Sequence, residues 1–180
     1  MLAALMVVLC VVVRVVPHPW NFTPVGAAAV LAGRALPRRH ATALILVTML
    51  ASDLVLSRLR GASYLNAVTP FVYAGFTAQV LLGAWLRTRR GGAVAAASLG
   101  ALSFFLLSNF GVWVAGMYGH SAAGLVACYA AAIPFFSATL AGDVAWTVVL
   151  SLAYRPMARW LSTGRRSLWV PLPVEGTRPI

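Results

Sequence analysis

Apolar residues run through this chain in long blocks, separated by short breaks rich in arginine, proline and glycine. Six blocks read as candidate membrane-crossing helices: residues 2–16, 24–36, 40–57, 67–86, 92–115 and 134–154. The first is interrupted only by Arg14 and ended by Pro17. A full crossing takes about 20 residues at about 1.5 Å each. The first two blocks are short for that and imply local thinning of the bilayer or extension into their loops. Residues 121–133 are apolar and helix-compatible but too few to cross, and Pro134 separates them from the last block. They are expected to form a short re-entrant or interfacial helix between spans five and six. The expected fold class is therefore an all-α integral membrane protein with six transmembrane helices plus that short helix.

Composition strengthens this reading. Of 180 residues, 61% are hydrophobic and 9% charged, and mean hydropathy is +0.87. A soluble domain carries roughly 25% charged residues, and one of this size could not hide so much apolar surface. The two cysteines, Cys10 and Cys128, both fall inside apolar runs and give no disulfide scaffold.

The formal charge of +11 comes from 14 arginines against Asp53, Asp143 and Glu175. Such a balance suggests nucleic acid only in a soluble protein; here the arginines cluster between apolar runs, and no nucleic-acid partner is expected. With six crossings and an inside amino terminus, eleven arginines fall on the inner side, against Arg58 and Arg60 outside and Arg14 within a span. A seventh crossing would erase that bias. Both termini are thus expected in the cytoplasm, with the protein in the cytoplasmic (inner) membrane. The first block lacks the positive start and small-residue cleavage site of a signal peptide. Residues 1–160 form the expected transmembrane domain and 161–180 a disordered cytoplasmic tail with Pro171, Pro173 and Pro179.

Under this topology the remaining polar residues gather toward the outer face. His18, Trp20, Asn21 and Phe22 lie in the first hairpin, and Asp53 with Ser52 ends the third span. Asn66 and Tyr64 open the fourth. Asn109, Trp113, Tyr118 and His120 end the fifth, and Asp143 and Trp146 lie in the sixth. A carboxylate within a span costs about 3 kcal/mol on insertion scales and normally faces a wet cavity or a partner. Arg14 is the partner at hand. Two readings stay open: the aspartates pair with Arg14 as structural links, or they line a pocket. The aromatics likewise fit an interfacial belt or a concave site for a small, flat, polar ligand. Small residues recur every four positions, as in Ala28/Ala32, Gly92/Ala96/Gly100 and Ala138/Gly142. That spacing suits close helix packing or the docking of another membrane subunit. No catalytic, nucleotide-binding or metal-ligating motif is present, so an enzyme, a cofactor and a metal are not expected.

Five literal runs carry a resemblance. They are residues 14–27 (RVVPHPWNFTPVGA), Ala51-Ser52-Asp53 with Ser108–Trp113, and Cys128–Phe136 with Gly142-Asp143. Over about residues 1–155 the chain looks like an uncharacterised bacterial family of six-span proteins. That family is similar to the S components, the substrate-binding subunits, of energy-coupling factor (ECF) vitamin transporters. More distantly, residues 66–73 (NAVTPFVY) with Leu82–Trp85 resemble solitary cobalamin-specific S components, with Ala67 where those carry a cobalt-ligating cysteine. The resemblance implies an ECF S-component-like bundle whose ligand lies near the outer face, under the loop after the first span. It also implies a coupling subunit with ATPases as a partner. The expected function is uptake of a vitamin-like molecule, bound by Arg14, His18, Trp20, Asn21, Phe22, Asp53, Asn66, Tyr73, Asn109, Trp113, Asp143 and Trp146. An intramembrane enzyme using His18 or His120 with Asp143, and a structural or assembly protein, are the alternatives.

Overall fold

A computed structural model describes residues 2–16 and 22–162. Six helices follow in order: α1 (Leu2–Val15), α2 (Val25–Ala35), α3 (Arg38–Arg60), α4 (Thr69–Trp85), α5 (Gly92–Val114) and α6 (Ala122–Ser162). There is no strand among the described residues. Three helices are long and apolar enough to cross a membrane: α3, α5 and the Ala122–Tyr154 part of α6. Their outward faces carry Val47, Leu54 and Leu59 on α3, and Val126, Ile133, Val149 and Leu152 on α6. Lipid is the solvent in which such faces are stable, since soluble monomers rarely expose contiguous apolar area of this extent.

The expected short helix before span six does not exist as a separate element. Residues 122–162 form one helix of 41 residues, about 60 Å long. Pro134 removes one backbone donor and displaces the Ala130 carbonyl, which in a lipid-embedded helix is tolerated where neighbours hold both halves in line. Here a single ring does that. Phe105 of α5 packs on Tyr129 before the proline, at 5.5 Å between centroids, and on Phe136 after it, at 4.9 Å. The Tyr129 hydroxyl also donates to the Leu106 carbonyl. Local propensity placed a break that tertiary packing removes.

α2 is the centre of the bundle. Every residue from Val25 to Ala35 is buried, and the helix touches each of the other five. Its small residues explain how. The space where a Cβ would stand on Gly33 is filled by the Val80 carbonyl, and that of Gly83 by the Val30 carbonyl, so α2 and α4 cross backbone to backbone. Ala28, Ala32, Ala96, Ala97 and Ala101 are all buried within the chain, which accounts for their spacing by internal packing.

Two arginines finish this crossing. Arg87 donates to the Gly33 and Leu36 carbonyls at the end of α2, at 3.0 and 3.1 Å. Arg34 donates to the Leu86 carbonyl after α4, at 2.6 Å. Each helix thus has its last carbonyls capped by a cation from the other's end, where the helix dipole favours positive charge. Arg87→Ala is expected to lower stability by about 1–2 kcal/mol, read as a fall in melting temperature in detergent, with Arg87→Lys recovering part of it. An unchanged melting temperature would mean that water serves those carbonyls equally well.

Candidate functional site

The polar residues singled out in the sequence separate into three groups, because they are bound to different helices at different depths. The first joins α1, α3 and α4. Arg14 forms an ion pair with Asp53, Nη2 to Oδ1 at 2.8 Å, and donates to Ser52 Oγ and to the Met49 sulfur. The Tyr73 hydroxyl donates to the other carboxylate oxygen, Asp53 Oδ2, at 2.9 Å. Both oxygens of this buried carboxylate have partners, and the group is internally complete.

The second group lies deeper. Asp143 on α6 is 4% exposed and accepts from Gln79 Nε2 of α4 at 2.8 Å. Its carboxylate rests on Gly26 in the first turn of α2, so closely that a Cβ there would overlap it. The physical reason is the buried start of α2: the first N–H groups of a helix have no intrahelical acceptor and carry partial positive charge, which a carboxylate complements. Tyr73 and Gln79 sit six residues apart on α4, which is about 9 Å along the axis and a third of a turn around it. The two aspartates therefore belong to two separate sites, one nearer the 61–68 connection and one in mid-bundle. Arg14 pairs with Asp53; among the described residues no cation pairs with Asp143.

Around Asp143 the hydrogen bonding is incomplete. Gln79 Oε1, Trp146 Nε1, Thr147 Oγ1 and Ser151 Oγ are buried without a hydrogen-bond partner. Asp143, Trp146, Thr147 and Ser151 fall on one side of α6, at helical spacings of three and four. Phe22, just ahead of α2, stacks at a tilt on Trp146 with centroids 6.3 Å apart. Sequence reading found Asp143, Trp146 and Phe22 but missed Gln79, Thr147 and Ser151. The signal was available: Gln79 is the only glutamine in the chain and lies inside an apolar span, and Thr139, Asp143, Thr147 and Ser151 form a polar ladder every fourth residue.

The third group closes the α5–α6 turn. Trp113 Nε1 donates to the Ser121 carbonyl and its ring meets His120 at 6.0 Å. Asn109 spends its amide on the Phe105 carbonyl one turn back, while its own carbonyl accepts from the Cys128 thiol. Asn66 is exposed, and its Oδ1 accepts from the Val68 N–H at the start of α4, the geometry of a turn and cap. Asn66, Asn109 and Trp113 are thus not brought together with Asp143. His18, Trp20 and Asn21 lie outside the described residues.

Residues 1–163 match a family model described as a family of unknown function, DUF6580. The chain belongs to that family. No curated protein and no solved structure matches this DUF6580 chain.

Proposed function

We propose that this DUF6580 chain is a membrane substrate-binding subunit or solitary transporter for a small, vitamin-like molecule, built as a six-span bundle of the S-component kind. One observation carries the reading: the buried, unpartnered polar atoms beside Asp143. An unpaired polar group in an apolar interior costs about 1–3 kcal/mol, and such groups inside a membrane bundle mark a substrate or ion path by default. A ligand with a planar ring and a few polar edges would satisfy those on Trp146 and Ser151. Trp146 and Phe22 supply an aromatic wall, and Trp146 Nε1 and Ser151 Oγ, both on half-buried residues, supply directed hydrogen bonds. Arg14, Asp53 and Tyr73 act as the strut that fixes α1 and α3 against α4. The arginine asymmetry supports cytoplasmic termini in an inner membrane. An energy-coupling subunit with its ATPases is the partner this reading implies.

The test is a thermal-shift screen of the purified chain against vitamins and cofactor precursors, followed by uptake into proteoliposomes. A true ligand at about 100 times its dissociation constant adds about 2.7 kcal/mol and raises the melting temperature by several degrees. Trp146→Ala abolishes that rise, whereas Asn66→Ala, at an exposed turn, leaves it intact. No stabilisation by any compound, with no uptake, refutes the transport reading.

A further inference from the structure

Gln79 Oε1 differs from the other unpartnered atoms in where its missing donor must come from. The amide is 1% exposed, Asp143 is 4% exposed, and Thr147 beside them is fully buried. Gly26 admits not even a methyl group between α2 and the carboxylate. Nothing as large as an organic ligand reaches the carboxylate in this packing. The amide N–H already serves Asp143 Oδ2, which leaves the amide oxygen an acceptor facing an acid that, when ionised, has only acceptors.

A proton resolves this. We propose that Asp143 is a proton-binding site, in which the protonated carboxyl and the Gln79 amide close a two-bond acid–amide pair. The carboxylate takes one proton from water to become the neutral acid. Its O–H then donates to Gln79 Oε1, while Gln79 Nε2 continues to donate to the other oxygen. In the ionised state the start of α2 faces the negative charge and stabilises it; in the neutral state the acid–amide pair leaves neither Gln79 Oε1 nor the carboxyl short of a partner. The site has two complementary arrangements, differing by one proton, in the middle of a bundle that otherwise holds no free charge among its described core residues.

The neighbouring elements bring little competing titration. The titratable residue of α2 is Arg34, bonded to the Leu86 carbonyl at the helix's far end. That of α4 is Tyr73, engaged with Asp53. α5 has none. On α6 itself Cys128 and Tyr129 bond to α5 carbonyls, and Tyr154, Arg155 and Arg159 lie three turns or more further on. The proposal rests on the polar side of α6 at Asp143 being functional, and its test uses no vitamin ligand, so the two ideas fail separately.

The chain contains only two aspartates. Full-length protein in lipid nanodiscs, labelled with ¹³C at the aspartate carboxyl carbon and ¹⁵N at the glutamine amide, therefore shows two carboxyl signals. Asp143 is the one with through-space contact to the Gln79 amide nitrogen, an assignment that needs no mutant. As pH is stepped over the range in which the protein is folded, that signal is expected to move reversibly between the positions of an acid and a carboxylate. The infrared carbonyl band of the protonated acid is expected to vanish in Asp143→Asn. In Gln79→Leu it persists and shifts to higher frequency, as for an acid that has lost its hydrogen-bonded partner. An Asp143 signal that stays fixed over the whole range in which the protein is folded overturns the proposal. So does a band that Gln79→Leu leaves unmoved.

Discussion

Asp53→Ala is expected to destabilise the protein by about 3–5 kcal/mol, the usual cost of removing one partner of a buried ion pair. The substitution leaves Arg14 with Ser52 and Met49 but no anion, and an arginine inside a bilayer costs about 3 kcal/mol on insertion scales. The Tyr73 hydroxyl also loses its acceptor. Tyr73→Phe alone should cost only about 1 kcal/mol, because it deletes one hydrogen bond and strands no charge. The informative variant is the double substitution Arg14→Met with Asp53→Leu. If the ion pair is structural, as its closed hydrogen bonding implies, removing both charges together recovers most of the loss. Thermal unfolding in detergent reads all four proteins. An Asp53→Ala protein within about 1 kcal/mol of the parent would show that Arg14 reaches water or headgroups instead, and that α1 is not anchored to α3 through this pair.

That Arg14 has an aspartate as its partner was legible in the sequence, because charge inside apolar blocks is scarce and must be neutralised locally; that the partner is Asp53 and not Asp143 was not. The helix positions were legible for the same reason: apolar blocks of fixed length leave few choices. Depth was not. Reading Pro134 as a helix start put Asp143 in the outer half of a span, grouped with Asn109 and Trp113. The continuous α6 instead carries Asp143 about 30 Å from its start at Ala122, level with the middle of α4. The role of α2 was also hidden. Eleven residues are too few to cross, and nothing local says that they are enclosed on all sides, with the helix start deep in the bundle. That follows only from Gly33 and Gly83 meeting carbonyls of the opposite helix. Gln79 was missed because a single glutamine carries no motif; its meaning comes from the acid that α6 brings to it.

That crossing sets the second large prediction. Gly83→Val is expected to destabilise the fold by about 3 kcal/mol or more, at the upper end of overpacking costs, because the new side chain meets the Val30 carbonyl and neither backbone can yield. Gly83 lies four residues after Gln79, on the same face of α4. Forcing α4 away from α2 therefore also draws Gln79 off Asp143, while the Arg14–Asp53 pair, a full helix turn and more beyond, is displaced less. The variant should lose melting temperature and the Asp143–Gln79 contact together. Gly61→Ala separates space from backbone conformation: Gly61 has φ +64° and nothing within 4 Å of its missing Cβ, so its cost of about 1 kcal/mol is conformational alone and leaves the Asp143 contact in place. A Gly83→Val protein as stable as the parent would mean that α2 and α4 do not touch at this point. With that contact gone, the placement of Gln79 against Asp143 by the α2–α4 crossing would lose its support.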